Sequence, residues 1–240
     1  MSSSGARPTS ARKLALILPA AGSSTRMDGG VRKPFIELRG LPVICRTLDR
    51  FDGIAGLGQI VVVAHPDDIA EIEASLWPQL VEHGATHLVR GGTRRQDSVV
   101  NGLDALEPDT DIVLIHDAVR PFVPRRAIEE AIGAAADHGA AVVAMPVADT
   151  VKRARGEMAA ETVPRDDLWG AQTPQVFEAG LIRRAFEQAA KDGFECTDDA
   201  QLVERLGVGV RLVRGSYENF KITTPAHLRM AEALLDRRGA

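Results

Sequence analysis

Two adjacent segments decide the fold: the apolar run LALIL at residues 14–18 and the loop PAAGSSTRM at residues 19–27. The run is short, continuous and bounded by Pro19, which is typical of a buried strand. The loop contains small residues followed by Arg26, and Lys33 comes soon after. Small residues let the backbone approach a ligand, and successive N–H groups in such a turn can bind an anion. The pattern therefore predicts a polyphosphate site directly after the first strand.

The spacing of this loop excludes two familiar phosphate motifs. A P-loop needs a second glycine followed by lysine, and no glycine follows Gly22 at that distance. The dinucleotide fingerprint needs a glycine at the position of Ser24. The chain therefore resembles neither a P-loop ATPase nor a dehydrogenase. On this loop alone, an ordinary strand-to-helix connection with solvated Arg26 and Lys33 stays open as the alternative.

The composition is that of an ordinary globular protein, with 240 residues, 45% hydrophobic and 26% charged. The net charge of −4 disfavours nucleic acid as a partner, and no apolar run approaches the ~20 residues of a membrane span. Cys45 and Cys196 lie in no metal-binding spacing, so we interpret them as free thiols in a reducing compartment. We expect residues 1–12 to form a disordered tail, and the protein to be cytoplasmic.

Strand and helix patterns alternate along the chain. Strands are predicted at residues 14–18, 35–38, 60–64, 86–90, 112–115, 140–146, 210–213 and 219–223. Helices are predicted at residues 41–51, 67–76, 94–106, 125–137, 178–190 and 225–236. Thr93 is the expected N-cap of the third helix, Thr197 caps a further short helix, and residues 172–175 are interpreted as a polar turn. This alternation predicts one α/β domain over residues 13–240, with a mostly parallel twisted sheet flanked by helices.

Three of the predicted strands end in residues of chemical interest. The first runs into Pro19–Gly22, the strand at 86–90 into Gly91–Gly92, and the strand at 112–115 into His116–Asp117. Ligands of such sheets bind outside the carboxyl ends of the strands. The residues therefore fall where the predicted architecture places a site.

An inserted arm at about residues 148–165 breaks the helical periodicity. Residues 150–151 and 161–163 could pair as a hairpin around Arg155-Gly156. An isolated two-stranded hairpin is marginal in water, so we expect the arm to pack on something else, such as a second subunit. A mobile surface loop is the alternative.

A series of short motifs then points to a family. They are Pro19-Ala-Ala-Gly22, Arg26-Met27, Lys33-Pro34, Gly91-Gly92, Asp97-Ser98, His116-Asp-Ala-Val-Arg-Pro121, Asp149-Thr-Val-Lys152, Thr162-Val-Pro-Arg165, Leu168-Trp169, Gln172-Thr-Pro-Gln175, Thr197-Asp-Asp-Ala200 and Asn219-Phe-Lys-Ile-Thr223. Each is weak alone. Together, in this order from about residue 14 to the C-terminus, they resemble the 2-C-methyl-D-erythritol 4-phosphate cytidylyltransferase family of non-mevalonate isoprenoid synthesis.

The resemblance implies a Rossmann-like nucleotidyltransferase fold and a homodimer in which each arm reaches the other subunit. It implies that CTP and the sugar-alcohol phosphate 2-C-methyl-D-erythritol 4-phosphate react, with Mg²⁺, to give the CDP-linked alcohol and pyrophosphate. A phosphate monoester is already an anion near neutral pH, so no general base is needed. His116 is accordingly expected to be structural.

The resemblance also implies roles for individual residues. The catalytic residues are Arg26, Lys33, Arg165 and Lys221. The nucleotide-binding residues are Ala20, Ala21, Gly22, Gly92, Ser98 and Ala118. The residues around the alcohol phosphate are Asp117, Arg120, Thr150, Arg165, Thr173, Thr197 and Lys221, with Thr150 and Arg165 serving the neighbouring subunit. Asp117 is the expected Mg²⁺ ligand, directly or through water, and a helix or turn cap is its alternative role.

One residue departs from the pattern of this family, and other families of similar fold remain alternatives. Many family members have glycine where Ser24 stands, which puts the geometry of the phosphate loop in question. Ribitol 5-phosphate cytidylyltransferase shares the fold and chemistry, and sugar-1-phosphate nucleotidyltransferases are more distant. A non-catalytic nucleotide-sensing protein would be expected to lose some of Arg26, Lys33, Asp117 and Lys221, and all four are present.

Overall fold

The computed structural model describes residues 12–22 and 32–239. The strands are β1 (Leu14–Pro19), β2 (Glu37–Leu38), β3 (Leu41–Pro42), β4 (Leu57–Ala64), β5 (His87–Arg90), β6 (Ile112–Ile115), β7 (Ala140–Pro146), β8 (Val151–Arg155), β9 (Met158–Val163), β10 (Trp169–Glu178) and β11 (Arg211–Arg214). The α-helices are α1 (Val43–Leu48), α2 (Ile69–Glu71), α3 (Trp77–Glu82), α4 (Arg95–Asp104), α5 (Arg125–His138), α6 (Ala179–Asp192), α7 (Asp199–Arg205) and α8 (Pro225–Arg238). A π-helical segment, Ile72–Leu76, joins α2 to α3.

The central sheet has seven strands in the order β11-β7-β10-β6-β1-β4-β5. Neighbouring strands run parallel except at β10, which is antiparallel to both β6 and β7. This arrangement confirms the predicted mostly parallel α/β sheet. The order reverses around β1 and β6, so the carboxyl ends of these two strands meet at the middle of one edge.

Strand β1 is buried on both faces of the sheet. Leu14, Leu16 and Leu18 pack with α1 and α5 on one side, whereas Ala15 and Ile17 pack with α4 and α6 on the other. Burying a leucine or isoleucine side chain contributes roughly 1.5–3 kcal/mol. A continuous apolar run is therefore what a central parallel strand needs, which explains why the sequence revealed it.

Helix α5 illustrates how the helices end. Its predicted and observed starts coincide at Arg125, and it ends before Gly139, whose φ of 86° is left-handed. The N–H of Gly139 bonds to the carbonyl of Ala135 and closes the last turn. Glycine adopts this conformation without a Cβ clash, so the chain can turn at once into β7.

Several element predictions were wrong. Residues 172–175 are not a turn: they lie within β10, in a stretch where the ladder with β7 is irregular. Residues 219–223 form no strand, because Asn219 and Ile222 are buried by contacts with other segments rather than by a β-ladder. The predicted helix at 41–51 is a short strand, then α1, then the 3₁₀ turn Asp49–Phe51.

Both predicted threonine N-caps were also wrong. The N-cap of α4 is Arg94, and Oδ2 of Asp97 accepts its backbone N–H at 3.1 Å. The N-cap of α7 is Asp198, whose Oδ1 accepts the N–H of Gln201 at 3.1 Å. At α7 the carboxylate of Asp198 supplies the acceptor that threonine was expected to supply, whereas at α4 the carboxylate of Asp97 instead accepts the N–H of the N-cap residue itself.

The arm is the antiparallel hairpin β8–β9, as the sequence predicted. Its side chains from Lys152 to Glu161 are exposed, and Met158 near its tip is 75% exposed. Such a surface has little to stabilise it within one subunit. Across residues 12–22 and 32–239, no helix is both long and apolar enough to span a bilayer.

Candidate active site

A cavity of about 280 Å³ lies at the carboxyl edge of the sheet. Its walls are the segment after β1, the loop between β5 and α4, the end of β6 and the irregular segment before α8. The lining residues are Pro19, Ala20, Ala21, Gly22, Lys33, Pro34, Gly92, Thr93, Arg94, Arg95, Ser98, Asp117, Val119, Lys221 and Thr223. The segments that the sequence singled out therefore meet at one place.

The two small-residue loops touch each other at the floor of this cavity. A Cβ added to Gly91 would lie 2.4 Å from the Cβ of Ala21 and 2.9 Å from Oγ of Ser98, so only glycine fits. The N–H of Gly92 donates to Oγ of Ser98 at 3.1 Å. The N–H of Ala20 donates to the carbonyl of Val63 at 2.7 Å, which continues the β1–β4 ladder into the loop.

Asp117 is the acidic centre of the site. Its Oδ2 accepts from Nε of Arg120 at 2.9 Å and lies 3.3 Å from Nζ of Lys221. Burial alone would raise the pKa of this carboxyl, but the charges of Lys221, Arg120 and Arg95 outweigh burial and hold the pKa well below its usual range. Asp117 is thus an ionised carboxylate stabilised by cations from three segments of the chain.

His116 is fully buried beside Asp117. Oγ1 of Thr173 lies 2.9 Å from its Nδ1, and its Nε2 lies 3.1 Å from the carbonyl of Arg120. A carbonyl can only accept, so Nε2 carries the proton and Nδ1 accepts from the hydroxyl. Burial lowers the pKa of His116 to about 4, so the ring is neutral near pH 7. These contacts give His116 the structural role that was expected.

Asn219 connects this network to β10. Its Nδ2 donates to Oε1 of Gln172 at 3.0 Å and to the carbonyl of Thr173 at 2.9 Å. Its own carbonyl accepts from Nη1 of Arg120 at 2.8 Å. Oδ1 of Asn219 is buried without a hydrogen-bond partner among the described residues. The side chain of Asn219 thus anchors to β10 the segment whose backbone carbonyl accepts from Arg120.

Comparison with known proteins decides the family. The model of the 2-C-methyl-D-erythritol 4-phosphate cytidylyltransferase family matches residues 14–237. This chain belongs to that family. A protein of that name from Halalkalibacterium halodurans is 45% identical over 220 residues, covering 92% of this chain and 96% of the relative. Another, from Symbiobacterium thermophilum, is 46% identical over 226 residues, covering 93% of each.

Solved structures agree with this assignment. The crystal structure of 4-diphosphocytidyl-2C-methyl-D-erythritol synthase from Anaerococcus prevotii has a TM-score of 0.82 and 34% identity, covering 94% of this chain and 97% of that one. The cytidylyltransferase structure from Thermus thermophilus has a TM-score of 0.76 and 34% identity, covering 93% and 99%. The family and the nucleotidyltransferase fold that the motifs suggested are therefore confirmed.

Eight of the predicted site residues line the cavity. They are Ala20, Ala21, Gly22, Lys33, Gly92, Ser98, Asp117 and Lys221. Predicted catalytic Arg26 and the departing Ser24 lie outside the described residues, so their roles stay predictions. The cytidylyltransferase motifs thus converge, as expected for residues that share one ligand.

Other predicted site residues stand behind or beside the cavity. Ala118 is buried, and its carbonyl accepts from Oγ1 of Thr47 at 2.9 Å. Arg120 and Thr173 contact Asp117 from behind. Thr197 is exposed next to α7, where its Oγ1 lies 3.3 Å from Oε1 of Gln201.

The two predicted residues on the arm remain away from this cavity. Thr150 and Arg165 are exposed at the base of the hairpin. The guanidinium of Arg165 donates to the carbonyl of Ala148 on the other side of that base. One subunit alone therefore does not bring these residues into the set that lines its own cavity.

Sequence reasoning missed Arg94 and Arg95, which line the cavity at the start of α4. Cations in the first turn of a helix oppose the helix dipole, so two adjacent arginines there should have suggested nearby anions. The anions are present. Arg94 pairs with Asp97 and Glu195, and Arg95 makes a bidentate ion pair with Asp199.

The chemistry that this cavity can support follows from its charges. Lys33, Arg94, Arg95 and Lys221 line it, and Asp117 is the one carboxylate among the described lining residues. Several cations beside closely approachable backbone are suited to a polyphosphate rather than to a neutral ligand. Within the described parts of the chain, no three His, Cys, Asp or Glu side chains come together as metal ligands would.

Proposed function

We propose that this chain transfers the cytidylyl group of CTP to 2-C-methyl-D-erythritol 4-phosphate, giving 4-diphosphocytidyl-2-C-methyl-D-erythritol and pyrophosphate. The observation that carries the proposal is the cavity in which Lys33 and Lys221 meet Asp117 and the two small-residue loops, in a chain of this family. The same proposal places the enzyme in the cytoplasm, a reducing compartment in which Cys45 and Cys196 stay free thiols.

The reaction is an in-line displacement at phosphorus. A phosphate oxygen of the alcohol phosphate attacks the α-phosphorus of CTP, the bond to the bridging oxygen breaks, and pyrophosphate leaves with the electron pair. Negative charge builds on the α-phosphate oxygens and the leaving group. Catalysis then rests on positioning and on cations aimed at that charge. Lys33 is our main stabiliser among the described residues, and Arg26 is proposed to act beside it.

No proton has to be removed from the attacking phosphate, which is already an anion near neutral pH. His116 supports this view, because both ring nitrogens are engaged and burial lowers its pKa to about 4. A neutral, fully buried imidazole is a poor candidate for a general base. Asp117 serves instead to hold Lys221 and Arg120 in place.

The nucleotide is proposed to lie against the two small-residue loops. The N–H of Ala20 is bonded to the neighbouring strand and is not available to the nucleotide. Ala20 is therefore proposed to act through its small size, which, together with that of Ala21 and Gly22, lets the nucleotide approach the backbone. Ser98 accepts from Gly92 and donates to the carbonyl of Arg94 at 3.1 Å, and thereby fixes the second loop. Ala118 supports the site from behind through its backbone.

The alcohol phosphate is proposed to bind between Lys221 and an arm from a second subunit. Arg165 and Thr150 are exposed on the arm and away from their own cavity, which supports a homodimer with exchanged arms. Thr197 would complete this half of the site, and Thr173 would support it from behind through its bond to the N–H of Asp117. In such a dimer the exposed hairpin would gain the packing that one subunit does not supply.

Mg²⁺ is proposed to enter as part of the nucleotide substrate. Oδ2 of Asp117 already contacts both Arg120 and Lys221, so the carboxylate does not fit a direct metal ligand well. Magnesium keeps several waters and readily takes substrate phosphates as ligands. Bound to the triphosphate, it would neutralise charge there, with Asp117 contributing through water.

The test is pyrophosphate release from CTP and Mg²⁺ with 2-C-methyl-D-erythritol 4-phosphate and ribitol 5-phosphate in parallel. Turnover that prefers the first alcohol phosphate supports the proposal. Preference for ribitol 5-phosphate would keep the mechanism and replace the substrate. No release with either, from folded protein that binds CTP, would favour a nucleotide-sensing role and overturn the proposal.

A further inference from the structure

Arg95 and Asp199 join the first turn of α4 to the first turn of α7. Nη1 and Nη2 of Arg95 donate to Oδ1 and Oδ2 of Asp199 at 2.8 and 2.7 Å. The carboxylate is fully buried, whereas the arginine side chain is 33% exposed. Two paired charges in such a setting give little net stability, because desolvation offsets their attraction. The pair is therefore better explained by what it orients.

The arginine end of this pair belongs to the wall of the proposed nucleotide site. Arg95 lines the cavity, and the same first turn of α4 carries Ser98, which holds the N–H of Gly92. The charge of Arg95 also contributes to the low pKa of Asp117. A ligand that orders the loop at Gly92 therefore also orders the first turn of α4, from which the Arg95 side chain extends.

The aspartate end belongs to the proposed alcohol-phosphate half of the site. Asp199 lies two residues after Thr197, and the N–H of Thr197 donates to Oε1 of Gln201 at 2.9 Å. Gln175 of β10 holds the same turn, since its Oε1 accepts the N–H of Ala200 at 2.9 Å. The turn that presents Thr197 is thus held between α4 and β10.

We propose that Arg95 and Asp199 are positioning residues that couple the two halves of the site. A bidentate guanidinium–carboxylate pair fixes both distance and angle, so it can transmit the order that CTP imposes on α4 to the turn bearing Thr197. The alcohol phosphate then binds to a turn already in place. This inference rests on the proposed function, because it assumes that CTP occupies the cavity.

The test compares wild-type protein with Asp199→Asn in two ways. The first is hydrogen–deuterium exchange of residues 196–202 with and without CTP, which needs no turnover. CTP slows exchange there in the wild type, and this protection is lost in the variant. The second is steady-state kinetics, in which the KM for the alcohol phosphate rises about tenfold, while the Kd for CTP alone changes less than about twofold.

Two further variants sharpen the comparison. Arg95→Lys keeps the positive charge and loses the bidentate guanidinium, so it should reproduce the lost protection and the raised KM more mildly. This variant tests the coupling if Asp199→Asn does not fold. Glu195→Gln is the matched control, because it breaks an exposed ion pair between Arg94 and the same turn. Arg94 stays held by Asp97 at 2.6 Å, so this control should match the wild type.

The outcomes separate the two proposals. Wild-type protein that binds no CTP overturns the proposed function, and the coupling falls with it. Wild-type protein that binds CTP, together with folded variants that keep the protection and the KM, overturns the coupling alone. The coupling is also overturned if residues 196–202 of a variant exchange fast with and without CTP while the KM for the alcohol phosphate is unchanged. That result would show that the ion pair is purely structural.

Discussion

The backbone N–H of Asp117 donates to Oγ1 of Thr173 at 3.1 Å, so strand β10 holds the acid at the end of β6. The same hydroxyl donates to Nδ1 of His116. Strand β10 is antiparallel to β6, with Gln175 opposite Ile115, which brings Thr173 level with the strand end. The position of Asp117 therefore depends on a side chain that does not line the cavity.

Replacing Thr173 by valine tests this dependence. Thr173→Val keeps the shape and leaves the N–H of Asp117 and Nδ1 of His116 without a partner. Each unpartnered buried group costs about 1–3 kcal/mol, so the free energy of unfolding should fall by about 2 kcal/mol or more. We also expect kcat/KM to fall about tenfold, because Asp117 no longer holds Arg120 and Lys221 in register. Urea unfolding and pyrophosphate release measure the two effects.

Thr173→Ser is the matched control for this variant. It retains the hydroxyl and loses one methyl group, which costs about 1 kcal/mol of stability without breaking the network. Its kcat/KM should stay near the wild-type value. If serine and valine lower kcat/KM equally, packing rather than the hydroxyl positions Asp117.

The buried His116 predicts how stability changes with pH. An unfolded histidine has a pKa of about 6.5. Burial lowers the pKa of His116 to about 4, so between these values the unfolded chain binds a proton that the folded chain does not. The free energy of unfolding should therefore decrease as pH falls from about 6.5 towards 4, with a slope contribution of up to about one proton.

His116→Gln removes the imidazole that binds this proton in the unfolded chain, and it keeps a donor for the carbonyl of Arg120. Urea unfolding between about pH 4.5 and 7 should give a flatter dependence for this variant than for the wild type. His138→Gln changes an exposed histidine at the end of α5 and should retain the wild-type dependence. An unchanged slope in His116→Gln would show that the buried ring does not govern acid destabilisation.

Lys33 is expected to act mainly in the transition state. Lys33→Ala should lower kcat about 100- to 1,000-fold, as removal of a stabiliser of developing charge does elsewhere. The KM for CTP should rise less than about tenfold, because the ground-state triphosphate keeps its other contacts. Lys191→Ala, at an exposed lysine of α6, is the control. A large rise in KM at constant kcat would assign Lys33 to uniform binding.

The local sequence pattern reveals those parts of the fold that are buried because their own residues are apolar. Strands β6 and β7 were predicted to the residue, because each is a continuous apolar run buried on both faces. Strand β10 was not predicted, and residues 172–175 within it were interpreted as a turn, because polar side chains there are buried by partners far along the chain. Thr173 bonds to His116, and Gln175 bonds to Asp198 at 2.8 Å. No local pattern contains such partners.

The candidate site shows the same division between residues that a local pattern reveals and residues that it does not. Small-residue loops and isolated cations stand out in sequence, so most of the cavity lining was predicted. Arg95 was not singled out, and Asn219 was noted only as part of a motif without a role, because their importance comes from one buried carboxylate and one strand about 50 to 100 residues away in sequence. Residues that act through a partner become visible only when the fold supplies that partner.

The proposed exchange of arms between subunits predicts complementation. On this proposal, Lys33→Ala should inactivate the cavity of its own subunit, whereas Arg165→Ala should inactivate the arm that its subunit contributes to the partner's site. In a mixed dimer one of the two sites has both residues intact, so random exchange should restore about a quarter of wild-type activity. Pyrophosphate release after verified subunit mixing measures this recovery. No recovery would mean that each arm serves its own subunit.

Gly91 offers the sharpest test of the cavity floor. Its missing side chain leaves room for the Cβ of Ala21, so Gly91→Ala should push the two loops apart. We expect a loss of about 1–3 kcal/mol in stability from overpacking, and a rise of about tenfold in the Kd for CTP. Gly133→Ala, in α5 with nothing within 4 Å of the added Cβ, should instead gain about 0.5–1 kcal/mol and leave CTP binding unchanged. Calorimetric titration with CTP and urea unfolding distinguish the two variants, and equal CTP affinity in both would remove the contact between Gly91 and Ala21 from the proposed nucleotide site.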